Sequence, residues 1–297
     1  MNFKELKAKA ESINAQLTTK LKENNQSGDR KADERLWYPA VDKAGNGTAV
    51  VRFLPAPAGE DMPYVTLYTH EFKDPNTGRW YIENSLSTIG KPDPVGNYNR
   101  DLWKTGIESN KEICRRQKRK TYYFANVLVI KDSINPENEG KVKIFKFGRW
   151  MYKFIEDKLI PQFEGEQSVP VFDLWKGASF RIRIGMKGEH RNYDRSEWDQ
   201  PSQLFASDDK MEEVWLQAHS LKEFTDISKF KDFDDLDKHF KKVIGIGSNQ
   251  SENILKEQPK ASEPKAHKEI VKDVDLPYTV TEDDSDDDFF AKLAQED

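Results

Sequence analysis

Residues 118–130 read Lys-Arg-Lys-Thr-Tyr-Tyr-Phe-Ala-Asn-Val-Leu-Val-Ile. A cationic triplet runs directly into a stretch of aromatic and β-branched residues, the composition of a strand. Side chains alternate across a strand, so Tyr122 and Phe124 fall on one face and Tyr123 falls on the other with Ala125, Val127 and Val129. Whichever face is core, one aromatic ring is expected to stay near the cations. Cations hold phosphates, and flat rings stack on unpaired bases of any identity for about 1–3 kcal/mol per base. The combination points to a single-stranded nucleic acid.

The cationic run extends upstream. Residues 111–120 hold Lys111, Arg115, Arg116, Lys118, Arg119 and Lys120 against one acid, Glu112. Taken alone it would equally suit a solvated helix face or a loop. Downstream, 141–149 reads as the partner strand of a hairpin, with Lys143, Phe145, Phe147 and Arg149 on one face and Lys146 between them. Phe145 and Phe147 suit core and binding surface equally. Ala178–Lys187 alternates as well, placing Arg181, Arg183 and Lys187 on one side as a third cationic ribbon.

Further strands are expected at Thr48–Leu54, after the turn signal Gly45-Asn46-Gly47, and at Tyr64–Phe72 and Arg79–Asn84. The last two flank Asp74-Pro75-Asn76-Thr77-Gly78 as a hairpin. Helical spacing appears near 150–160, 208–219 and 232–243. The centre is therefore a mixed, β-rich α+β domain with inserted helices and no internal repeat.

The ends differ from the centre. Phe3, Leu6, Ala10, Ile13 and Leu17 recur at helical spacing among lysines, and 24–34 is polar and linker-like. After Gly247 apolar residues thin out, and 248–297 carries a net charge of −8 while 1–247 carries +3. Such a tail cannot bury enough surface to offset its ordering entropy, so it is expected to be disordered. It contains Glu-Asp-Asp-Ser-Asp-Asp-Asp at 282–288, followed by Phe289, Phe290 and Leu293. An acidic segment with aromatic residues suits docking into basic grooves on partner proteins, or into this chain's own cationic surface.

Cys114 is the single cysteine, which rules out an intramolecular disulfide framework. Neither a secretion signal nor a membrane-length apolar run is apparent. There is no Gly-x-x-x-x-Gly-Lys loop and no Gly-x-Ser-x-Gly elbow, and the five histidines are scattered without metal-ligand spacing. An enzyme is not expected. The classes left open are a single-stranded DNA binder, an RNA-binding module, an acidic-tailed scaffold and, least favoured, a metal-dependent nuclease.

Several longer motifs narrow this. Ala44-Gly45-Asn46-Gly47 with Arg52-Phe53-Leu54-Pro55, Arg79-Trp80-Tyr81-Ile82-Glu83, Lys118–Thr121, Ala125–Val129, Pro136–Val142, Phe147-Gly148 and Asn192-Tyr193-Asp194 occur in one order. The chain in this respect resembles the single-stranded DNA-binding, helix-destabilising proteins of T-even-like tailed bacteriophages. The resemblance implies an OB-fold core, a five-stranded Greek-key barrel with inserted helices and extra strands. It implies three parts: 1–28 for cooperative self-association, 29–247 as the DNA-binding core, and 248–297 as a tail for phage replication and recombination proteins and for autoregulation. It implies coating of single strands in replication, recombination and repair, in the cytoplasm of an infected bacterial host, with no membrane partner.

By resemblance the DNA-contacting aromatics fall at Tyr81, Trp103, Tyr123, Phe124, Phe145 and Tyr193, and basic contacts at Arg52, Lys118, Arg119 and Lys120. The basic run and the second hairpin strand add Arg115, Arg116, Lys146 and Arg149. Family members that carry a structural zinc hold it through one histidine and three cysteines. His70 matches the histidine, but Ser85 and Gly96 stand at two cysteine positions, and the third falls in a shortened loop. Tetrahedral zinc needs four N or S ligands, so no zinc or other cofactor is expected, and the 85–99 loop is expected to repack. The family's compact Lys/Arg–Ser/Thr cluster near the N-terminus is replaced by Lys4, Lys7 and Lys9 spread along the helix.

Overall fold

The computed structural model describes residues 33–246 apart from Glu164 and Glu189. The expected N-terminal helix and the tail lie outside the described residues. The chain divides into two units, 1–36 and 37–297. In the described part of the first, Arg35 pairs with Asp33 at 2.6 Å.

The described residues hold nine strands: β1 (Leu36–Trp37), β2 (Gly47–Phe53), β3 (Tyr64–Lys73), β4 (Trp80–Asn84), β5 (Lys120–Asp132), β6 (Val142–Gly148), β7 (Phe180–Lys187), β8 (His190–Asn192) and β9 (Glu197–Trp198). Five α-helices accompany them: α1 (Pro94–Lys104), α2 (Glu108–Arg116), α3 (Arg149–Leu159), α4 (Asp208–Leu216) and α5 (Phe233–Ile244). Strand β5, which contains residues 120–130 of the opening stretch, is the axis of the sheet. On one side it pairs antiparallel with β6 from Tyr122 to Leu128. On the other it pairs first with β3, through Lys120–Ala125, and then with β2, through Val127–Asp132. β5 passes from one partner to the other at Asn126. β2 continues to β7, and β4 extends β3.

One face of β5 packs into the main core: Tyr123, Ala125, Val127 and Val129 join Phe53, Phe145, Phe147, Phe180 and Ile182. Helix α3 closes this side with Met151 and Ile155, one turn apart. Trp37 also joins, its indole N–H donating to Asp132 Oδ2 at 2.8 Å. The opposite face is covered too. Leu128 packs under Met211 of α4, and Phe124 lies beneath Phe224. The Asn126 amide exchanges two hydrogen bonds with the backbone of His219, at 2.8 and 2.9 Å. Burial on both faces explains why 122–129 is buried without interruption.

Helix α5 shows why the sequence places its ends where they are. Asp232 caps Asp235 N, acids fill the first turn, Lys241 and Lys242 fill the last, and Gly245 adopts the left-handed φ of 76°. Its buried residues Leu236, Phe240 and Val243 recur at helical spacing. Helices α1 and α2 occupy 94–116, where the sequence suggested only a repacked loop and a basic run. The start of α1 does have a local signal: Asp93 accepts from Gly96 N and Pro94 takes the first helical turn.

Candidate nucleic-acid interface

The register of β5 builds the site. Thr66 pairs with Tyr123 and Tyr68 with Thr121, so the odd-numbered residues leading into β5 share a face with Tyr64, Thr66 and Tyr68. Phe147 pairs with Tyr123 on the other side, and the same alternation brings Arg149 to this face at the start of α3. Buried Tyr123 and Phe147 form the floor, with centroids 5.7 Å apart and planes within 19°. Half-buried Tyr64, Tyr68 and Tyr152 form the rim. Tyr152 lies flat on Tyr123 at 4.0 Å, and its hydroxyl meets that of Tyr64 at 2.9 Å.

Two cations overhang these rings. The Arg119 guanidinium sits 4.1 Å from the Tyr68 ring centroid, and its Nη1 donates to Ser87 Oγ at 3.0 Å. The Arg149 guanidinium sits 6.0 Å from the Tyr152 ring. Burial pushes the Tyr123 phenol above its ordinary range, while its hydrogen bond with Arg149 acts the other way. Burial and the Tyr64 hydroxyl likewise push Tyr152 up. These phenols therefore stay neutral, and the charge of the face comes from Arg119 and from Arg149, whose Nη2 lies 3.9 Å from Glu156 Oε2.

The remaining expected site residues are spread over the molecule. Phe124, Lys120 and Lys146 lie on the opposite face of the sheet. There Lys146 Nζ stands 3.8 Å over the Tyr122 ring, and Glu71 accepts from Lys120 at 3.3 Å and from the Tyr122 hydroxyl at 3.1 Å. Burial lowers the Lys146 pKa, opposed by Glu71. Trp103 of α1 lies half-buried beneath Lys111 and Arg115 of α2, at 5.1 and 5.8 Å. Arg115 also pairs with Glu108 at 2.7 Å. Arg116 is exposed on α2, and half-buried Lys118 follows it.

Arg52 and the expected aromatics Tyr81, Phe124, Phe145 and Tyr193 are buried, as Tyr123 is. Arg52 is 1% exposed, and its Nη2 donates to the carbonyls of Asp173, Leu174 and Ser202 at 3.0, 3.4 and 2.8 Å. Burial lowers its pKa, and nearby Asp173 counters this. Gly177 is needed beside it, because a Cβ there would come 2.3 Å from Asp173 O and 3.0 Å from Arg52 Nη2. Tyr81 is also 1% exposed, packed among Phe72, Phe240 and His239. Phe145 packs on Trp37 at 5.3 Å, and Tyr193 on Trp150 at 5.5 Å, both inside the core. Phe124 is covered by Phe224. In each case the ring is enclosed by other side chains of the protein. Nor are both arginines of the third ribbon open to solvent anions: Arg181 pairs with Asp199 at 3.1 Å and Arg183 with Glu197 at 2.7 Å. A groove of about 520 Å³ lies beside them, lined by Asn46, Thr48, Arg183, Lys187, Asn192 and Arg195 among others.

Tyr64, Tyr68 and Tyr152 were missed by sequence reasoning, although a signal existed. Tyr64, Thr66 and Tyr68 alternate within one expected strand, and Tyr152 follows Arg149 at helical spacing.

The sequence pattern of the family described as gp32 DNA binding protein like matches residues 45–244, most of the chain and every element from β2 to α5. The chain belongs to this family. A single-stranded DNA-binding protein of Enterobacteria phage T2 is 39% identical over 231 residues, 75% of this chain and 74% of that protein. Its counterpart in Enterobacteria phage T4 is 39% identical over 229 residues, with the same coverage. A single-stranded DNA-binding protein of Enterobacteria phage RB70 is 43% identical over 104 residues, 34% of this chain and 84% of that protein. These names are those of binding proteins, in agreement with the expectation that this gp32-like chain is not an enzyme. No helix among the described residues is long and apolar enough to cross a membrane.

The residues at the family's zinc position do not fit zinc. His70 is buried, with Nδ1 on Gln117 O at 3.0 Å, and its Nε2 lies 3.1 Å from Asp93 Oδ1, a carboxylate rather than a cysteine sulfur. Ser85 donates its hydroxyl to Asp93, and Gly96 contributes only a backbone N–H. Cys114 lies on α2, bonded to Asn99 O at 3.2 Å. Among the described residues, no group of three His, Cys, Asp or Glu side chains could hold a metal.

Proposed function

We propose that this chain is a single-stranded DNA-binding protein, and that the strand runs over the tyrosine floor between Arg119 and Arg149. One observation carries the proposal: two arginines overhang a set of four tyrosines on one face of the sheet. Arginines neutralise phosphates without reading bases, and half-buried rings stack on any base that is not already paired. A duplex presents no free base faces to such rings. A protein that favours single strands lowers duplex melting by mass action.

The finer reading rests on the family and on the charge pattern. The core is an OB-type barrel, for which the transfer of long β5 from β3 to β2 is the supporting feature. The 1–28 segment links neighbouring copies on the strand, and 248–297, at net charge −8, recruits replication and recombination proteins and competes for the cationic face. The setting is the cytoplasm of a phage-infected bacterium.

The test is titration of a homopolymeric DNA strand, the matched RNA strand and a duplex of equal length, followed by intrinsic fluorescence, for the full chain and for a form ending at Gly247. Preference for single-stranded DNA, tightened at low salt by truncation, is the expected result. Equal affinity for duplex would overturn the site, RNA preference would reassign the ligand, and unchanged affinity after truncation would remove the competing tail.

A further inference from the structure

The place where the family implies a metal is filled by a carboxylate. Asp93, at the start of α1, is 7% exposed and sits at the centre of four contacts. Its Oδ1 accepts from Gly96 N at 3.0 Å and faces His70 Nε2 at 3.1 Å. Its Oδ2 accepts from Ser85 Oγ at 2.8 Å and from Leu86 N at 3.1 Å. His70 comes from β3, Ser85 and Leu86 from the turn after β4, and Gly96 from α1. Thus the three residues that match the family's metal-ligand positions, His70, Ser85 and Gly96, all converge on Asp93.

The chain of donors continues to the nucleic-acid face. Arg119 Nη1 donates to Ser87 Oγ at 3.0 Å. Ser87 and Ser85 hydroxyls meet at 2.9 Å. Because Ser85 spends its proton on Asp93, Ser87 is the donor in that pair. Every donor from Arg119 inward points toward one anion. The same turn grips Tyr68 by its backbone: Ser85 N donates to Tyr68 O at 2.8 Å, and Tyr68 N donates to Thr88 Oγ1 at 2.9 Å. The turn that Asp93 organises therefore holds both members of the Arg119–Tyr68 pair.

We infer that Asp93 is a positioning residue that replaces the metal as the hub of this subdomain and sets Arg119 over Tyr68 through Ser85 and Ser87. Its consequence for DNA rests on the reading of the site proposed above, whereas its metal-free structural role does not. The ionised state of Asp93 agrees with the geometry. Burial alone would raise its pKa, but His70, Gly96 and Ser85 outweigh burial and pull it down to about 2.

The test uses the full chain and the variants Asp93→Asn, Ser87→Ala, Arg119→Ala and Asp93→Asn/Arg119→Ala. Metal content after dialysis, Tm with and without a chelator, and Kd for a homopolymeric DNA strand are measured. Wild type is expected to carry no stoichiometric zinc and to melt identically with chelator, while Asp93→Asn melts lower. Ser87→Ala, which leaves the carboxylate in place, is expected to keep its Tm and bind DNA about fivefold more weakly, the worth of one ordinary hydrogen bond. Asp93→Asn is expected to weaken binding alone but not in the Arg119→Ala background, because both act through one group. Should Asp93→Asn fail to fold, Ser87→Ala decides the link to Arg119. One equivalent of retained zinc, or an unchanged Tm in Asp93→Asn, overturns the hub. Additive losses in the double variant, or unaltered binding in Ser87→Ala, overturn the relay. If wild type shows no preference for single strands, the site reading fails instead, and the zinc and Tm arms still judge the hub.

Discussion

Phe224 lies flat on Phe124, with ring centroids 4.1 Å apart and planes 17° from parallel. This is the geometry of a base on an aromatic ring, made here by the protein itself. The segment carrying Phe224 is fixed by Glu60, whose carboxylate accepts from Ser220 Oγ at 2.6 Å and from Leu221 N at 3.1 Å. Replacing Phe224 with Ala is expected to lower stability by about 2 kcal/mol, since the ring is half-buried, and to leave DNA affinity unchanged. Thermal melts and fluorescence titration check this. Weaker DNA binding at unchanged Tm would place the opposite face of the sheet in the interface.

The rim tyrosines are expected to act on binding. Tyr68→Ala and Tyr152→Ala should each weaken single-strand affinity by about 1–3 kcal/mol. Tyr81→Ala is the contrasting case, because its ring is buried away from the face. It should cost about 3–5 kcal/mol of stability and leave the affinity of the folded protein intact.

Salt dependence separates the working arginines from the structural one. Arg119→Ala and Arg149→Ala should each reduce the slope of log K against log salt by about 0.7, the value for one phosphate on a single strand. Arg52→Lys should leave that slope alone and lower stability by about 2 kcal/mol, because a lysine cannot reproduce the fork that holds the carbonyls of Asp173 and Ser202. Slopes from isothermal titrations at several salt concentrations decide between these outcomes.

Cys114 reports on the α1–α2 pair. Burial pushes its thiol up to about 12, so at pH 8 the nucleophilic thiolate is scarce and the sulfur is also shielded. Disulfide-exchange reagents should leave the native protein unlabelled and react fully once it is denatured. Prompt stoichiometric labelling of the native protein would mean that the two helices open readily.

The strands of the sheet were legible in the sequence because alternation is a local property. β2, β3, β5, β6 and β7 lie within two residues of their expected limits at each end. The side-chain roles were less legible, because burial on a second face is decided by residues far along the chain. Phe124 looked free until Phe224, a hundred positions later, covered it. Arg52 looked like a phosphate contact until the carbonyls of Asp173 and Ser202 enclosed it. Helix α1 was passed over although Val95, Tyr98, Leu102 and Trp103 recur at helical spacing, because 85–99 suggested a repacked loop, and α2 was hidden inside the basic run. The Asp93 hub was hidden for another reason. Its contacts join β3, a turn and a helix start, and beyond the capping of Gly96 by Asp93 no spacing rule connects them to positions 70 and 85.

Photochemical cross-linking of a single strand carrying iodinated pyrimidines, followed by mapping of the attached peptides, locates the bases on the protein. Attachment at Tyr64, Tyr68 or Tyr152 is the predicted result, and it should disappear with added duplex-free competitor strand. Attachment confined to Tyr122, Phe124 or the Lys146 side of the sheet would contradict the account.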